Sequence, residues 1–241
     1  MHTKTILSIS IGVFVSLSNI AWAGYVPPVK QEPPSDYSRS TGVRSGCPNQ
    51  EINSEMLVIL APQTYVGKTT SVRPQFTWWT AVPSDIDFRL FEFTDNVRVK
   101  QKGKPISIKN SAGINQLSLP TEHSPLTVGQ KYLWQVALRC PNGNYVLERA
   151  EFRVVATPSS INPNLNSSEK VQQYAQDGYW YDALSESLQE SSGKLGKLAS
   201  DLISSLAMSE KPSDISTLTD NQQKIILKRI ESLEEISSNW R

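Results

Sequence analysis

The chain has 241 residues, with 24 Lys and Arg against 23 Asp and Glu and a net charge of +1. This balance argues against electrostatic binding of nucleic acid or of an anionic membrane surface. Hydrophobic residues make up 38% of the chain, which is low for a compact globular protein and reflects in part polar tails and linkers. The mature chain could hold one or two small domains.

Residues 1–23 have the features of a cleavable signal peptide. A weakly basic start is followed by an apolar run at 6–17 and by the small-x-small pattern Ala21-Trp22-Ala23. Cleavage before Gly24 would release a periplasmic or secreted chain with no membrane-spanning segment left. An uncleaved membrane anchor is the alternative, although the apolar run is short for a bilayer.

Residues 24–46 contain several Pro and Ser residues and predict an extended linker that buries no core. Residues 47–156 then show short strand-like segments separated by turn residues. The predicted strands are 57–60, 75–81, 86–93, 106–108, 114–119, 132–139 and 145–155, with a polar turn at 100–104. Several short strands with such spacing indicate two packed antiparallel sheets.

The most regular stretch is 126–140. From Tyr132 onward, aromatic and aliphatic residues alternate in the pattern of a half-buried strand. Leu126, Gly129 and Tyr132 resemble the corner of fibronectin type III and other immunoglobulin-like domains, where a Tyr hydroxyl binds the main chain just upstream. The expected fold class is therefore α+β, an immunoglobulin-like (fibronectin type III-like) antiparallel β-sandwich followed by a small α-helical C-terminal region.

Cys47 and Cys140 are the only cysteines of the chain. Export permits a disulfide bond. In a sandwich of the expected type, the start of the first strand and the end of the sixth lie at the same pole, so a bond between the two cysteines is plausible. The alternative is a pair of buried thiols that are not bonded to each other.

A second linker is predicted at 157–166, after which the hydrophobic period changes from that of strands to that of helices. Residues 167–241 predict three or four helices, with capping signals at Asn166 and Thr219. These helices could form a small bundle of their own or pack partly on the sandwich.

One predicted helical hairpin contains Tyr174, Gly178, Trp180 and Ala183, whose small members let two antiparallel helices approach closely. This set resembles half of a tetratricopeptide repeat. Glu190 departs from the pattern, because that position of the repeat is normally small.

Several short islands stand out along the chain. They are Gly46-Cys47-Pro48, residues 60–63, Val72-Arg73-Pro74 with Trp78, residues 117–120, residues 126–140 and residues 174–184. Taken in order, they resemble one cyanobacterial family, the domain of unknown function 928 family. The resemblance implies an exported cyanobacterial protein. It implies no activity, because none is attached to the family.

Five aromatic residues are the candidates for contact with a ligand or partner. Trp78 and Trp79 are adjacent in a predicted strand, so their side chains point to opposite faces of the sheet. One of them could stack on a sugar ring or lie beneath the C-terminal helices. Tyr179, Trp180 and Tyr181 either pack the helical hairpin or bind a peptide.

No catalytic or metal-binding pattern stands out. His123 is the only histidine after the predicted signal peptide and has no nucleophile elbow nearby, and zinc would need more Cys or His ligands. Asp85 and Asp87 could form part of a calcium site, but no glycine-containing ligand loop follows them. A pair of catalytic carboxylates is an alternative that sequence spacing does not test, because the two members of such a pair are distant in sequence.

We therefore expect a non-catalytic binding or assembly module of the periplasm or cell envelope that uses no cofactor and contacts another protein. A carbohydrate-binding module that uses exposed Trp and an unrecognised envelope hydrolase are the alternatives. A protein partner would need a sheet edge, the helical hairpin or an apolar patch. A glycan would need a groove with coplanar aromatic rings, and a hydrolase a deep pocket with two facing carboxylates.

Overall fold

The computed structural model describes residues 24–35, 47, 56–96, 98–212 and 218–239. The predicted signal peptide at 1–23 lies outside these residues, as does the stretch 36–46 of the predicted first linker. Within the described part, nine strands come first and four helices follow. The chain is therefore an α+β protein, as its sequence predicts.

The bounds of the elements follow the predicted pattern with two additions. The strands are β1 (Leu57–Ile59), β2 (Gly67–Thr69), β3 (Gln75–Thr80), β4 (Ser84–Phe93), β5 (Val99–Gln101), β6 (Ile106–Asn110), β7 (Gly113–Ser118), β8 (Lys131–Arg139) and β9 (Tyr145–Val154). The helices are α1 (Ser167–Gln176), α2 (Trp180–Glu190), α3 (Lys197–Ser209) and α4 (Asp220–Ser238). Strands β2 and β5 were not predicted, and the polar turn expected at 100–104 was wrong for its first two residues, which belong to β5. Both strands have three residues, too few to show a period.

The strands form two sheets. The smaller one has three strands in the order β1-β3-β7, and the larger one has six in the order β2-β9-β8-β4-β5, with β6 also paired to β4. All pairs are antiparallel except β2 with β9, which run parallel. The larger sheet is therefore mixed.

Aromatic rings join the two sheets. Phe76 of β3 lies with its ring centroid 4.9 Å from Phe88, 5.1 Å from Trp134 and 5.5 Å from Phe152. The last three residues belong to the larger sheet, and all four side chains are fully buried. Such tilted and edge-on ring pairs add to the gain from apolar burial, so the two sheets share one core through these rings.

Strand β8 was predicted to be half buried, and this prediction was wrong. Every residue from Lys131 to Leu138 is buried, and only Arg139 is exposed. On the face away from the smaller sheet, the Lys131 ammonium lies 4.1 Å from the centroid of the Phe93 ring, and Gln135 accepts a hydrogen bond from Arg149. Because β8 has a paired neighbour on each side, long side chains of β4 and β9 cover the face that was expected to meet water.

The turn before β8 contains the hydroxyl contact expected from Tyr132. The Thr127 amide donates to the Tyr132 hydroxyl over 2.9 Å. Gly129 has a φ of 87°, a value that favours glycine, and its amide donates to the Val154 carbonyl over 2.7 Å. The side chain of Tyr132 therefore fixes the path of the chain into the central strand.

The helix ends follow their capping signals. Asn166 and Thr219 each form a complete capping box with the residue three positions on, so both predicted caps are confirmed. Gly178 has a φ of 77° directly after α1, which ends that helix and turns the chain into α2. Within the described ranges, no helix is both long and apolar enough to cross a membrane.

The helices share a core with the sheets. The ring of Tyr181 in α2 lies 5.3 Å from that of Phe152 and 6.2 Å from that of Phe76. Its hydroxyl accepts a hydrogen bond of 3.0 Å from the Trp134 indole N–H. The neighbouring Trp180 donates its own indole N–H to the Leu60 carbonyl over 2.8 Å. Helix α2 is therefore attached to both sheets by buried aromatic side chains.

Residues 24–35 also pack on the folded body, so the prediction of a linker that buries no core was wrong for this stretch. Tyr25 is 5% exposed, and its ring meets that of Trp180 edge-on at 4.9 Å. The Val26 amide donates to the Ala175 carbonyl over 2.9 Å, and the Glu32 carbonyl accepts from the amide of Val66 over 2.8 Å. Proline content signals an extended backbone, but an extended backbone can still bury its side chains.

The two cysteines lie together. The sulfurs of Cys47 and Cys140 are 1.98 Å apart, and their Cα atoms are 5.2 Å apart. The pair joins the chain ahead of β1 to the residue that follows β8, across a sequence separation of 93 residues.

The Cys47–Cys140 pair predicts the redox state and part of the stability of the mature protein. We expect no titratable thiol in the unreduced, denatured chain. Replacement of both cysteines by Ala should lower the free energy of unfolding by about 4 kcal/mol, because a long loop is closed. Thiol titration and urea denaturation measure the two effects. Two free thiols, or equal stability of the two proteins, would contradict the expectation.

The attachment of α2 predicts a specific effect of Tyr181→Phe. This change leaves the buried Trp134 N–H without an acceptor, so the free energy of unfolding should fall by about 1–3 kcal/mol. Tyr145→Phe is the matched control, because it removes a hydroxyl group from a tyrosine that is 39% exposed. Equal urea midpoints for the two variants would show that the Trp134–Tyr181 hydrogen bond contributes nothing.

Candidate functional site

Three of the five aromatic residues proposed for ligand or partner contact lie in the core. Trp78 and Trp180 are 0% exposed and Tyr181 is 3% exposed. A partner could reach these rings only if the sheets and α2 separated. These three side chains pack the core, which is the alternative role that the sequence predicted for them.

The other two candidates are partly buried. Trp79 lies in register with Val58 of β1 and Ile114 of β7, so these three side chains cross the outer face of the smaller sheet. Tyr179 meets Tyr174 edge-on at 6.5 Å beside the turn between α1 and α2. Burial raises the pKa of the Tyr174 and Tyr179 hydroxyl groups above the ordinary value.

Strand β7 has an open edge. Among the described strands it pairs only with β3. The Leu119 amide donates to the Pro74 carbonyl, and main-chain bonds to the neighbour alternate along an antiparallel pair. The N–H and C=O groups of Ile114, Gln116 and Ser118 therefore point away from β3. In the described part of the chain, no main-chain partner meets these groups.

The other edges of the two sheets are protected. Strands β2, β5 and β6 each carry a lysine, namely Lys68, Lys100 and Lys109, and lysine on an edge discourages pairing with another chain. Strand β1 has three residues and packs against α4. Strand β7 has six residues, Gly-Ile-Asn-Gln-Leu-Ser, with neither a charge nor a proline. It therefore lacks the protection that the other edges have.

Two glutamine side chains lie beside this edge on the outer face of the smaller sheet. The Gln75 Nε2 group donates to Gln116 Oε1 over 2.8 Å. The remaining amide atoms, Gln75 Oε1 and Gln116 Nε2, are shielded from solvent and have no hydrogen-bond partner. A buried amide group without a partner is costly, but a partner could reach these two atoms only if the glutamine side chains turned outward.

A second concave region lies where α3 and α4 meet the loop after β1. Glu210, at the end of α3, is 0% exposed and accepts hydrogen bonds from the amides of Gln63 (2.7 Å) and Thr64 (3.1 Å). Arg229 of α4 lies 3.7 Å from the same carboxylate and donates to the Ala61 carbonyl over 2.5 Å. This ion pair therefore fastens both helices to the loop.

A cavity of about 270 Å³ adjoins this ion pair. Its lining contains aliphatic residues, including Leu218, Ile225 and Ile226, and Glu210 is the only acid among the described residues that line it. The Glu210 oxygens already accept hydrogen bonds from two main-chain amides of the loop after β1. The carboxylate therefore has a structural role. Among the described residues, no second carboxylate lines this cavity to face Glu210, as the mechanism of a glycoside hydrolase would require.

The acidic and histidine candidates have other contacts. Asp87 accepts from the Ser107 hydroxyl over 2.7 Å and lies 3.5 Å from Arg139. His123 Nε2 lies 3.4 Å from the Lys104 carbonyl. In the portion of the chain that the structure describes, no three His, Cys, Asp or Glu side chains are grouped in a way that could hold a metal ion.

A further acid, Asp182, was not among the predicted site residues. Its oxygens accept from the Thr70 hydroxyl (2.8 Å) and amide (3.0 Å). Burial raises the pKa of the Asp182 carboxyl, and the hydrogen bonds from Thr70 oppose this rise. Asp182 therefore fastens the first turn of α2 to the end of β2, which is a structural role.

The Glu210–Arg229 ion pair predicts a large loss of stability in Glu210→Ala. This change leaves Arg229 without its counter-charge and two main-chain amides without an acceptor, so the free energy of unfolding should fall by about 3–5 kcal/mol. Glu190→Ala, at an exposed position at the end of α2, is the matched control. Urea denaturation compares them, and equal midpoints would contradict the role given to Glu210.

Comparisons with known proteins give a family but no activity. The family described as Domain of Unknown Function (DUF928) matches residues 39–215. No curated protein matches.

A structure of astrotactin-2, a vertebrate-specific perforin-like membrane protein, is similar at 14% identity with a TM-score of 0.28, over 77% of this chain and 38% of that one. A β-1,2-glucanase from Parabacteroides distasonis is similar at 10% identity with a TM-score of 0.22, over 74% and 34%. The chain thus spans about a third of the length of these two proteins, and such low TM-scores carry no functional inference. Because the family match covers well over half of the chain, the chain belongs to the family Domain of Unknown Function (DUF928).

Proposed function

We propose that the mature chain is an exported, non-catalytic module that binds another protein by accepting an extended strand at β7. The observation that carries the proposal is the open, uncharged edge of β7. Ile114, Gln116 and Ser118 direct their main-chain groups away from β3, and no lysine or proline blocks them.

Strand addition fits this edge in physical terms. An extended segment of a partner can bond to the outward N–H and C=O groups of alternate residues, which supplies main-chain affinity. Side chains beside the edge then give specificity. Here they are the partly buried Ile114 and Leu117, one on each face of the smaller sheet.

The alternative functions have less support. A glycan site built on exposed Trp needs coplanar aromatic rings, but Trp78 is buried. Trp79 takes part in none of the ring contacts found in the described residues. A hydrolase needs two facing carboxylates in a pocket, and Glu210 is the only carboxylate among the described residues that line the cavity beside α4.

We also propose that the two sheets form an immunoglobulin-like sandwich close to the fibronectin type III type. Three features support this assignment: the three-stranded sheet facing the larger one, the parallel pairing of β2 with the last strand, and the Tyr132 contact with the main chain upstream. The hairpin of α1 and α2, with Gly178 at its turn, supports the likeness to half of a tetratricopeptide repeat.

Export is the second part of the proposal. The signal-like sequence at 1–23 and the bonding distance between Cys47 and Cys140 support a passage into an oxidising compartment. The periplasm or cell envelope of a cyanobacterium is the location that the family resemblance favours.

Gln116→Pro tests strand addition. The Gln116 amide points away from β3, so proline there removes one outward donor and no hydrogen bond within the sheet. We expect the mature protein to capture a specific set of chains from envelope extracts, and we expect Gln116→Pro to lose them at least tenfold. Mass spectrometry of the captured material measures the loss.

Gln116→Ala is the matched control, because it removes the same side chain but keeps the outward amide. It should retain most of the captured chains. Far-UV circular dichroism and a melting curve establish that both variants are folded. Equal capture by Gln116→Pro and Gln116→Ala would overturn the proposal that the β7 edge is the binding site.

A further inference from the structure

We propose that the strand accepted by β7 is β7 of a second copy of this chain, antiparallel and related by a two-fold axis through Gln116. This inference rests on the proposed function, since it names the partner of the same edge. It goes further because it specifies the register of the contact.

The register follows from which residues point outward. In a symmetric antiparallel pair, the outward residues must face one another. With the axis at Gln116, each Gln116 faces its own copy and each Ile114 faces Ser118 of the second copy. All of these outward residues lie at alternate positions on the same face of the smaller sheet. The pairing therefore keeps core faces on one side and outer faces on the other.

Strand β7 carries no charged residue, which allows it to pair with β7 of a second copy without repulsion between like charges. A two-fold axis places identical side chains opposite each other at its centre, so a lysine at the centre would face a second lysine, which is unfavourable. The edges that carry Lys68, Lys100 and Lys109 are poorly suited to such a contact for this reason. Strand β7 has none of these charges along its six residues.

The residue on the axis is chemically suited to meet itself. An amide side chain has both a donor and an acceptor, so two copies of Gln116 can bond reciprocally, Nε2 of each to Oε1 of the other. In the single chain, Gln116 Nε2 is shielded from solvent and has no hydrogen-bond partner, so the side chain has to turn outward to make this bond. Gln116 Oε1 accepts from Gln75 and has a second lone pair free for the incoming donor.

The product is one continuous sheet across two molecules. Two three-stranded sheets of order β1-β3-β7 would join at their β7 edges, with about two main-chain hydrogen bonds at each outward residue. Helices α2 and α4 pack on β1, β2 and β3, so they lie away from the joined edges. The dimer closes the only long edge that lacks a lysine among the described strands.

Single-cysteine variants test the register. In a hydrogen-bonded antiparallel pair, facing Cα atoms lie about 5.5 Å apart, within the range that a disulfide spans. We expect Gln116→Cys to form a disulfide-linked dimer in most molecules on mild oxidation. Non-reducing electrophoresis measures the linked fraction, and sedimentation of the unmodified mature chain should show a concentration-dependent dimer.

Ile114→Cys and Ser118→Cys are the matched controls. In the proposed register, two copies of residue 114 lie roughly 14 Å apart, beyond the reach of a disulfide. Each control alone should therefore stay at least tenfold less linked than Gln116→Cys. A mixture of the two should link, because position 114 faces position 118. Cys47 and Cys140 are bonded to each other and do not compete.

The outcomes separate this inference from the proposed function. Linkage of Gln116→Cys and of the mixture, but of neither control alone, supports the two-fold pairing. Equal linkage of all single variants, or no linkage with a monomer at every concentration, overturns it. If Gln116→Pro nevertheless loses chains from envelope extracts, the β7 edge binds a different protein, so only the second-copy inference fails.

Discussion

The position of the helices on the two sheets depends on the insertion of Tyr181 between those sheets. Its ring lies against Phe76 of the smaller sheet and Phe152 of the larger one, and its hydroxyl accepts a hydrogen bond from the Trp134 indole N–H. Because α2 enters the core in this way, the helices have to lie on the side of β1, β2 and the start of β3. Asp182 and the Glu210–Arg229 ion pair strengthen the same junction. The helices therefore cover one edge of the smaller sheet, and none of the described helices packs extensively on the other edge, β7.

An open strand edge carries a hazard that the composition of β7 addresses only in part. Uncharged edges can pair with any extended chain and promote aggregation. Strand β7 is short, begins at Gly113 with a φ of 96°, and is followed closely by Pro120, so the length available for pairing is limited. A short contact of polar amides and partly buried aliphatic groups favours a defined partner over extended stacking.

Local signals in the sequence predicted local features well. The capping residues Asn166 and Thr219 lie at helix starts, and alternation in β4 and β8 gave strands near their observed bounds. Features that depend on contacts distant in sequence could not be found in this way. The burial of Tyr25 against Trp180 requires knowledge of where α2 lies, and β8 appeared half buried because its flanking strands are not visible in its own pattern. The open edge of β7 was equally invisible, since an edge strand and a central strand can share the same alternation. The absence of charge and proline in β7 was the available signal, and it became informative only once the strand order was known.

The most direct measurement is amide hydrogen exchange along β7 in dilute mature protein, where the chain is alone. The account predicts an alternation: the Ile114, Gln116 and Ser118 amides should exchange quickly, and those of Asn115 and Leu117, which point to β3, slowly. At higher protein concentration the three fast amides should become protected. Slow exchange at all five positions in the dilute protein would show that the edge is already covered within one chain, and would contradict the account.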